Sequence, residues 1–276
     1  MLSKKKRTRS TGFEDSVVRA ADALLSSKYA VAMTGAGMSV ESGIPTFRGK
    51  NGLWTRYGQP AMDGFSRFRS DPVEWWQRQI NRQMDEHIIL LRDALRSAKP
   101  HEGHHALARL HRAGAIDHVI TQNIDGLDLK AGLRSLTEIH GNRSRLRCVD
   151  CGERRPLGDF IPVEPPEPCE RCDGVVKFDT VMFGEPIPAD TLEEARRHIG
   201  MADCIMAVGT SATVRPASGL LWIGKSNGAT MIEINPAETK LTGICDVVVR
   251  ATAGEALPAI LDELTARSGP GGTAGS

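Results

Sequence analysis

Four short apolar runs in this chain each end in a turn rich in Gly, Thr, Asn or Gln, and helical patterns separate the runs. Ala30-Val31-Ala32-Met33 leads into Thr34-Gly35-Ala36-Gly37, and Asp117-His118-Val119-Ile120 into Thr121-Gln122-Asn123-Ile124-Asp125. Cys204-Ile205-Met206-Ala207-Val208 leads into Gly209-Thr210-Ser211, and Met231-Ile232-Glu233-Ile234 into Asn235-Pro236. Runs this apolar leave no face for water, which predicts parallel strands covered on both sides. Between them, Asp15 or Ser16 can cap a helix burying Val17, Val18, Ala21, Leu24 and Leu25. Further helices read from Gly103 to Arg112 (closed by Gly114), Leu192 to Ile199, about Pro216 onward, and about Leu257 to Leu264. Repeated strand–helix alternation predicts a doubly wound α/β domain.

Two stretches interrupt that rhythm. Residues 71–97 form one long helical pattern with Asp71 at its cap and Pro72 in its first turn, and Trp75, Trp76, Ile80 and Met84 read as its core face. Residues 142–179 carry paired cysteines around a proline-rich centre. Both read as insertions forming one small domain (57–97 and 142–179) within a large one (13–56, 98–141 and 180–267), between tails at 1–12 and 268–276. The basic run Lys4 to Arg9 reads as solvated, and the Gly-rich end as flexible.

The cysteine spacing is specific. Cys148 and Cys151 form one CxxC pair, Cys169 and Cys172 another, with seventeen residues between the pairs. A CxxC knuckle turns both sulfurs toward one metal, so the set predicts a tetrahedral zinc site with no open position. Cys204 and Cys245 stand in apolar stretches and read as small buried residues. The sequence HExxH at 101–105 matches the zinc-protease pattern, but Pro100 precedes it and Gly103 lies inside it, so it reads as a helix start.

Composition narrows the partners. Lys plus Arg (35) balances Asp plus Glu (34), and aromatic content is 5%, which argues against a nucleic-acid partner. No apolar run reaches the roughly 18–20 residues of a membrane span, and no apolar segment follows Lys4-Lys5-Lys6-Arg7 as a signal peptide needs. A cytoplasmic protein is the expectation. Arg143, Arg145, Arg147, Arg154 and Arg155 crowd the first knuckle and read as a solvated ribbon edge.

In an open α/β sheet, ligands bind beyond the carboxyl ends of the strands, so the four turns converge on one crevice. Gly35 and Gly37 let backbone amides approach a pyrophosphate. A dehydrogenase would continue to a second strand ending in an acid; this chain instead enters Ser42-Gly43-Ile44-Pro45-Thr46-Phe47-Arg48-Gly49 and then Gly52-Leu53-Trp54. That loop offers an arginine for phosphate and one exposed-looking aromatic, and could close over a cofactor. His140, closing the run Leu136-Thr137-Glu138-Ile139, stands where a near-neutral pKa suits proton transfer.

GAGMSVESGIPTFRG (35–49), TQNID (121–125), IHG (139–141), the paired CxxC, FGE (183–185), GTS (209–211) and INP (234–236) stand in the order of the sirtuin family, and the resemblance runs from about residue 15 to 265. It implies a Rossmann-type large domain and a small helical and zinc-ribbon domain, with NAD and acyl-lysine entering the cleft between them. Gly35, Ala36, Gly37, Phe47 and Arg48 would line the pyrophosphate and ribose. Gln122, Asn123, Ile124 and Asp125 would form the nicotinamide-ribose pocket, with Asp125 on the carboxamide. Gly209, Thr210, Ser211, Asn235, Pro236 and Ala253 would face adenosine. Val181, Met182, Phe183, Gly184 and Glu185 resemble the strand that pairs with an extended peptide, through main-chain bonds of little sequence preference. His140, with Asn123 beside it, would be catalytic: nicotinamide leaves as the acyl oxygen attacks the ribose, and the histidine then accepts a ribose hydroxyl proton.

The resemblance implies NAD-dependent deacylation of lysine in proteins or peptides, with structural zinc. ADP-ribosyl transfer shares the first step, and a non-enzymatic zinc-ribbon module is favoured only by the arginines. Some sirtuins that take succinyl or malonyl carry Tyr-x-x-Arg on the small-domain helix. Alignment places Trp76 and Gln79 there, which points to an uncharged acyl group such as acetyl, whereas the TFRG wording resembles the desuccinylase group.

Overall fold

The computed structural model describes residues 3–49, 52–157 and 163–268, with backbone alone for residues 3–11 and 268. Pro162 and residues 269–276 of the Gly-rich end lie outside the described residues. In chain order the elements are α1 Ser3–Ser26, β1 Ala30–Thr34, a 3-10 segment Ala36–Ser42, α2 Leu53–Tyr57, α3 Gly64–Ser70, α4 Pro72–Ile80, α5 Glu86–Ser97 and α6 Glu102–Arg112. Next come β2 His118–Thr121, α7 Leu127–Lys130, β3 Leu136–Glu138, β4 Gly141–Cys148, β5 Arg154–Pro156 and β6 Val176–Thr180. The chain ends with α8 Ala189–Met201, β7 Cys204–Val208, α9 Ala217–Ser226, β8 Thr230–Ile234, β9 Val247–Val249 and α10 Ala253–Ser268.

Six strands form a parallel sheet in the order β3-β2-β1-β7-β8-β9. Strand alternation divides its core between two faces. Ala30, Ala32, Val119, Met206, Val208 and Ile232 pack with Val17, Leu24, Leu107 and Leu257 from α1, α6 and α10. Val31, Met33, Ile120, Ile205, Ala207 and Met231 pack with Ile199, Leu220 and Leu221 from α8 and α9. Apolar side chains on both faces explain why these runs carry no polar alternation, and the sheet is doubly wound as expected. The strand order reverses between β1 and β7. Their carboxyl ends therefore flank the crevice where such a sheet takes its ligand.

A second, antiparallel sheet has the order β5-β4-β6. Its core is Leu146, Cys148, Cys169, Val176 and Phe178, closed by Trp76 from α4. Trp76 is buried at 2% exposure, its indole N–H donates to Val176 O at 2.9 Å, and its ring lies 4.8 Å from that of Phe178.

Several local expectations change. The pattern over 71–97 is two helices: Asp71 caps α4 by accepting from Glu74 N at 2.7 Å, but Arg82 sits at φ 54° and breaks the run before α5. Asn81, Arg82 and Asp85 give this link turn chemistry that apolar periodicity does not register. The first helix begins at Ser3, so the basic run forms helical turns and not a tail, and Ser16 Oγ donates within the helix to Phe13 O at 2.7 Å in place of capping it. Lys and Arg are good helix formers and extend a helix anchored by the Val17–Leu24 face. β3 stops at Glu138, so His140 lies in the turn before β4. Val181–Glu185 leaves β6 as a turn, with Gly184 at φ 82° and Glu185 N donating to Met182 O at 3.0 Å.

Candidate active site

The turn after β1 packs on the turn after β7. Gly37 N donates to Gly209 O at 2.8 Å, and Gly35 N to Val208 O at 2.9 Å. A Cβ on Gly37 would stand 2.6 Å from Gly209 Cα, and Gly209 has φ 60°. Glycine at these positions first serves backbone-to-backbone approach between the two turns. The amides of Gly35 and Gly37 are spent on that contact. Thr210 is buried and its Oγ1 accepts from Gln122 Nε2 at 2.9 Å, which joins the β2 turn to the β7 turn.

Beside them the β2 turn is held by its own side chains. Asn123 Nδ2 donates to Gly35 O at 3.0 Å and to Ser39 Oγ at 3.3 Å, and Ser39 Oγ donates to Asp125 Oδ2 at 2.7 Å. Leu127 N donates to the other Asp125 oxygen at 2.8 Å. Asn123 N and Thr34 Oγ1 both donate to Thr121 Oγ1, at 3.2 and 2.7 Å. Ser39 lay inside the quoted motif without being singled out. Below this network Asp128 is buried, its Oδ1 has no partner among the described residues, and burial, with Asp125 nearby and a Thr121 hydrogen bond opposing it, pushes its carboxyl up to about 7.

His140 adjoins the same turn. Its Nδ1 lies 3.0 Å from Gln122 O; a carbonyl only accepts, so Nδ1 carries the hydrogen and Nε2 keeps its lone pair. Burial lowers the imidazole pKa, partly offset by this bond, so the ring is neutral at pH 7. Val181 N donates to His140 O at 2.9 Å, which fixes the Val181–Glu185 turn beside the histidine.

Phe47 and Arg48 come from the segment before α2. The Arg48 guanidinium lies 4.1 Å over the Trp54 ring and has no carboxylate partner among the described residues. A partly buried guanidinium without a carboxylate partner among the described residues has the chemistry to meet a pyrophosphate. Ser211 Oγ pairs with Thr213 Oγ1 at 2.9 Å, and Asn235 Nδ2 reaches Thr210 O at 3.5 Å, so the adenosine-side set assembles at the β7 and β8 ends with exposed Pro236. Ala253 is buried in the core of the large sheet, and its backbone packs on Gly103 of α6.

The four cysteines converge. Cys148 and Cys172 sulfurs are 3.6 Å apart, as are those of Cys151 and Cys169, and all four lie within 4.8 Å of one another. A tetrahedral ion bound at ~2.3 Å from each sulfur sets the sulfurs about 3.8 Å apart, so the set fits a structural zinc with four protein ligands. His118, Glu194 and His198 also cluster, but the two imidazoles stack at 3.4 Å and 2°, so their in-plane lone pairs run parallel and do not meet at one ion. Their nitrogens are taken by Ser135, Thr137, Tyr29 and Arg197. HExxH is a helix start: His101 Nδ1 accepts from Gly103 N at 3.0 Å, while its Nε2–H donates to Met38 O at 2.7 Å.

Three of the arginines near the knuckle are drawn into an internal network, whereas Arg155 pairs with exposed Glu170 as at a solvated edge. Asp179 meets Arg145, Arg147 and Arg154 at 3.2, 2.9 and 3.3 Å, and Glu185 meets Arg147 and Lys177 at 2.5 and 3.0 Å. Asp179 and Glu185 side chains are 3% exposed, so the network is internal and ties β4 and β6 to the turn at Glu185. Glu185, expected to face peptide, has its carboxylate committed here. Trp76, read as core of its helix and aligned by the resemblance with an acyl-pocket position, is buried in the small-sheet core.

A switch-point crevice with an activated histidine, carried with a four-cysteine ribbon, defines a nucleotide-dependent enzyme that uses zinc as scaffold. Comparison makes this specific. The Sir2 family model matches residues 35–216, and the chain belongs to the Sir2 family, the sirtuins. An NAD-dependent protein deacylase 2 from Pyrobaculum aerophilum is 40% identical over 247 residues, covering 90% of this chain and 95% of that protein. The structure of a Sir2 homolog–NAD complex matches with TM-score 0.74 at 39% identity, covering 90% of this chain and 94% of the other. A Sir2 protein with a deacetylated p53 peptide and 3'-O-acetyl ADP-ribose matches with TM-score 0.73 at 32% identity, covering 89% and 97%. Among the described residues no helix is long and apolar enough to cross a membrane.

Proposed function

We infer that this chain removes acyl groups from lysine in proteins or peptides at the expense of NAD and one water, yielding nicotinamide, O-acyl-ADP-ribose and free lysine. The observation that carries this reading is His140: it is neutral, its hydrogen is fixed on Nδ1 by Gln122 O, and its Nε2 lone pair is free for a proton in the crevice. Bound NAD supplies a ribose carbon bearing a nicotinamide leaving group. Asn123 and Asp125, held by Ser39, present a preformed polar wall to that ring and ribose. Arg48 offsets pyrophosphate charge, and Thr210, Ser211, Asn235 and Pro236 border the adenosine. His140 Nε2 takes the ribose hydroxyl proton as the acyl carbon is attacked. Val181–Gly184 lends main-chain groups to the peptide. Zinc, when bound, crosslinks the two knuckles.

Acetyl is the acyl group we put first, because a buried carboxylate needs a cation and Gln79, which the resemblance aligns with the arginine of the Tyr-x-x-Arg pair, carries no charge. Incubation with NAD and an acetyl-lysine peptide, read by mass spectrometry, tests the reading. O-acetyl-ADP-ribose and free lysine peptide are expected, whereas ADP-ribosylated protein with acetyl-lysine intact would establish transfer instead. Of the arginines that favoured a non-enzymatic ribbon module, Arg145, Arg147 and Arg154 are paired with buried Asp179 within the protein.

A further inference from the structure

Trp54 touches residues assigned to different substrates. At the start of α2 its backbone N–H donates to Phe47 O at 2.8 Å, and its ring centroid lies 5.3 Å from that of Phe47 at 42°. The Arg48 guanidinium lies 4.1 Å over the same ring. On the other side Phe183 meets Trp54 edge to face, with centroids 5.6 Å apart at 61°. Phe47 and Arg48 belong to the cofactor side, and Phe183 to the turn that receives peptide. Trp54 is half-buried in this stack.

The Phe183 turn has its own anchor. Phe183 O accepts from Phe65 N at 3.0 Å, and a Cβ on Gly184 would lie 2.3 Å from Met62 O. The backbone of the turn is thus held by α3 and the residues before it, while its aromatic side chain is held by Trp54. Arg48 has no carboxylate among the described residues, so the Trp54 face is the group that orients its charge.

We propose that Trp54 is a positioning residue that couples NAD binding to acyl-peptide binding through the Arg48–Trp54–Phe183 stack. A ligand that fixes Arg48 and Phe47 also fixes the indole. Phe183 then packs on an ordered partner, and the peptide meets a surface whose ordering cost has been met. The coupling is reciprocal, so bound peptide raises affinity for the nucleotide by the same factor. One aromatic pair limits the effect to roughly two- to tenfold.

This proposal rests on the crevice being the NAD and acyl-peptide site. Calorimetry on the full chain with ADP-ribose, which cannot react, and an acetyl-lysine peptide gives the peptide Kd with and without nucleotide. The wild type is expected to bind peptide several-fold more tightly with ADP-ribose present. Trp54→Ala should bring that ratio close to one, and Trp54→Phe should keep most of it. Should Trp54→Ala not fold, Phe183→Leu preserves apolar volume without the ring and should show the same loss. A wild-type ratio of one, or a ratio unchanged in a folded Trp54→Ala or Phe183→Leu, overturns the coupling. Absence of ADP-ribose binding by the wild type would instead overturn the assignment of the site.

Discussion

Asp128 offers a prediction whose size follows from its surroundings. Its carboxyl is buried with Oδ1 unpartnered, and Asp125 and Glu138 add negative charge nearby, so its pKa stands at about 7 against an ordinary 3.8. In the folded chain it is neutral below that value, while in the unfolded chain it ionises above 3.8. The folded state therefore binds the extra proton between these limits, and stability falls as pH rises through them by ~1.4 kcal/mol per pH unit. The accumulated cost at pH 7 and above is about 4 kcal/mol, and below the unfolded pKa it vanishes. Asp128→Asn cannot ionise and removes the pH-dependent part. Its amide brings N–H donors that lack an acceptor, a fixed cost of roughly 1–3 kcal/mol.

Because that cost does not vary with pH, the slope is the diagnostic quantity. Urea unfolding of both proteins between pH 5 and 7 should show the stability of Asp128→Asn relative to wild type rising by about 2–3 kcal/mol. The window stops at pH 5 so that the thiolates stay available to zinc. A stability difference that stays constant across the window would refute the reasoning, whatever its sign, since it would mean that Asp128 is ionised throughout.

His140→Ala should abolish deacylation while ADP-ribose binding and the thermal midpoint persist, and the wild-type kcat/KM should fall on the acid side with a midpoint below 6.5, where Nε2 becomes protonated; near-normal turnover by the variant would remove the histidine from its role. Cys151→Ala should disrupt the small sheet and change the fluorescence of Trp76, whose indole is bonded to Val176 O, with activity lost indirectly; an undisturbed signal at full metal loss would separate zinc from the ribbon fold. On matched peptides, kcat/KM is expected to favour acetyl over succinyl; a clear succinyl preference would direct attention to Arg143, whose guanidinium lies 4.1 Å over Phe178 with no carboxylate partner among the described residues.

The features legible in sequence are those whose chemistry is local. Strands buried on both faces must be continuously apolar, so Ala30–Met33 and Cys204–Val208 were visible without any partner being known. Two knuckles needed only their spacing. The turns at strand ends were legible because the polar residues stand next to runs that cannot be loops. Ala253 and Trp76 show the opposite case. An apolar residue fits a core and a ligand pocket equally well, and only packing distinguishes them; here both went to cores.

Charge was hidden for a different reason. The balance of 35 basic to 34 acidic residues says nothing about which of them meet, and Arg145, Arg147 and Arg154 are separated from Asp179 by 25 or more positions. Their neutralisation depends on the pairing of β4 with β6, a long-range contact that no local pattern encodes. The same pairing brings Arg147 and Lys177 to Glu185, and so anchors one end of the turn that Phe183 and Gly184 occupy. Removing one partner would leave a buried charge unmatched and release that end. The cysteine ribbon therefore reaches the crevice through its ion pairs as well as its fold: β4, which ends at the cysteine-cluster residue Cys148, and β6 also hold the residues that pair with Glu185 and so shape the Val181–Glu185 turn.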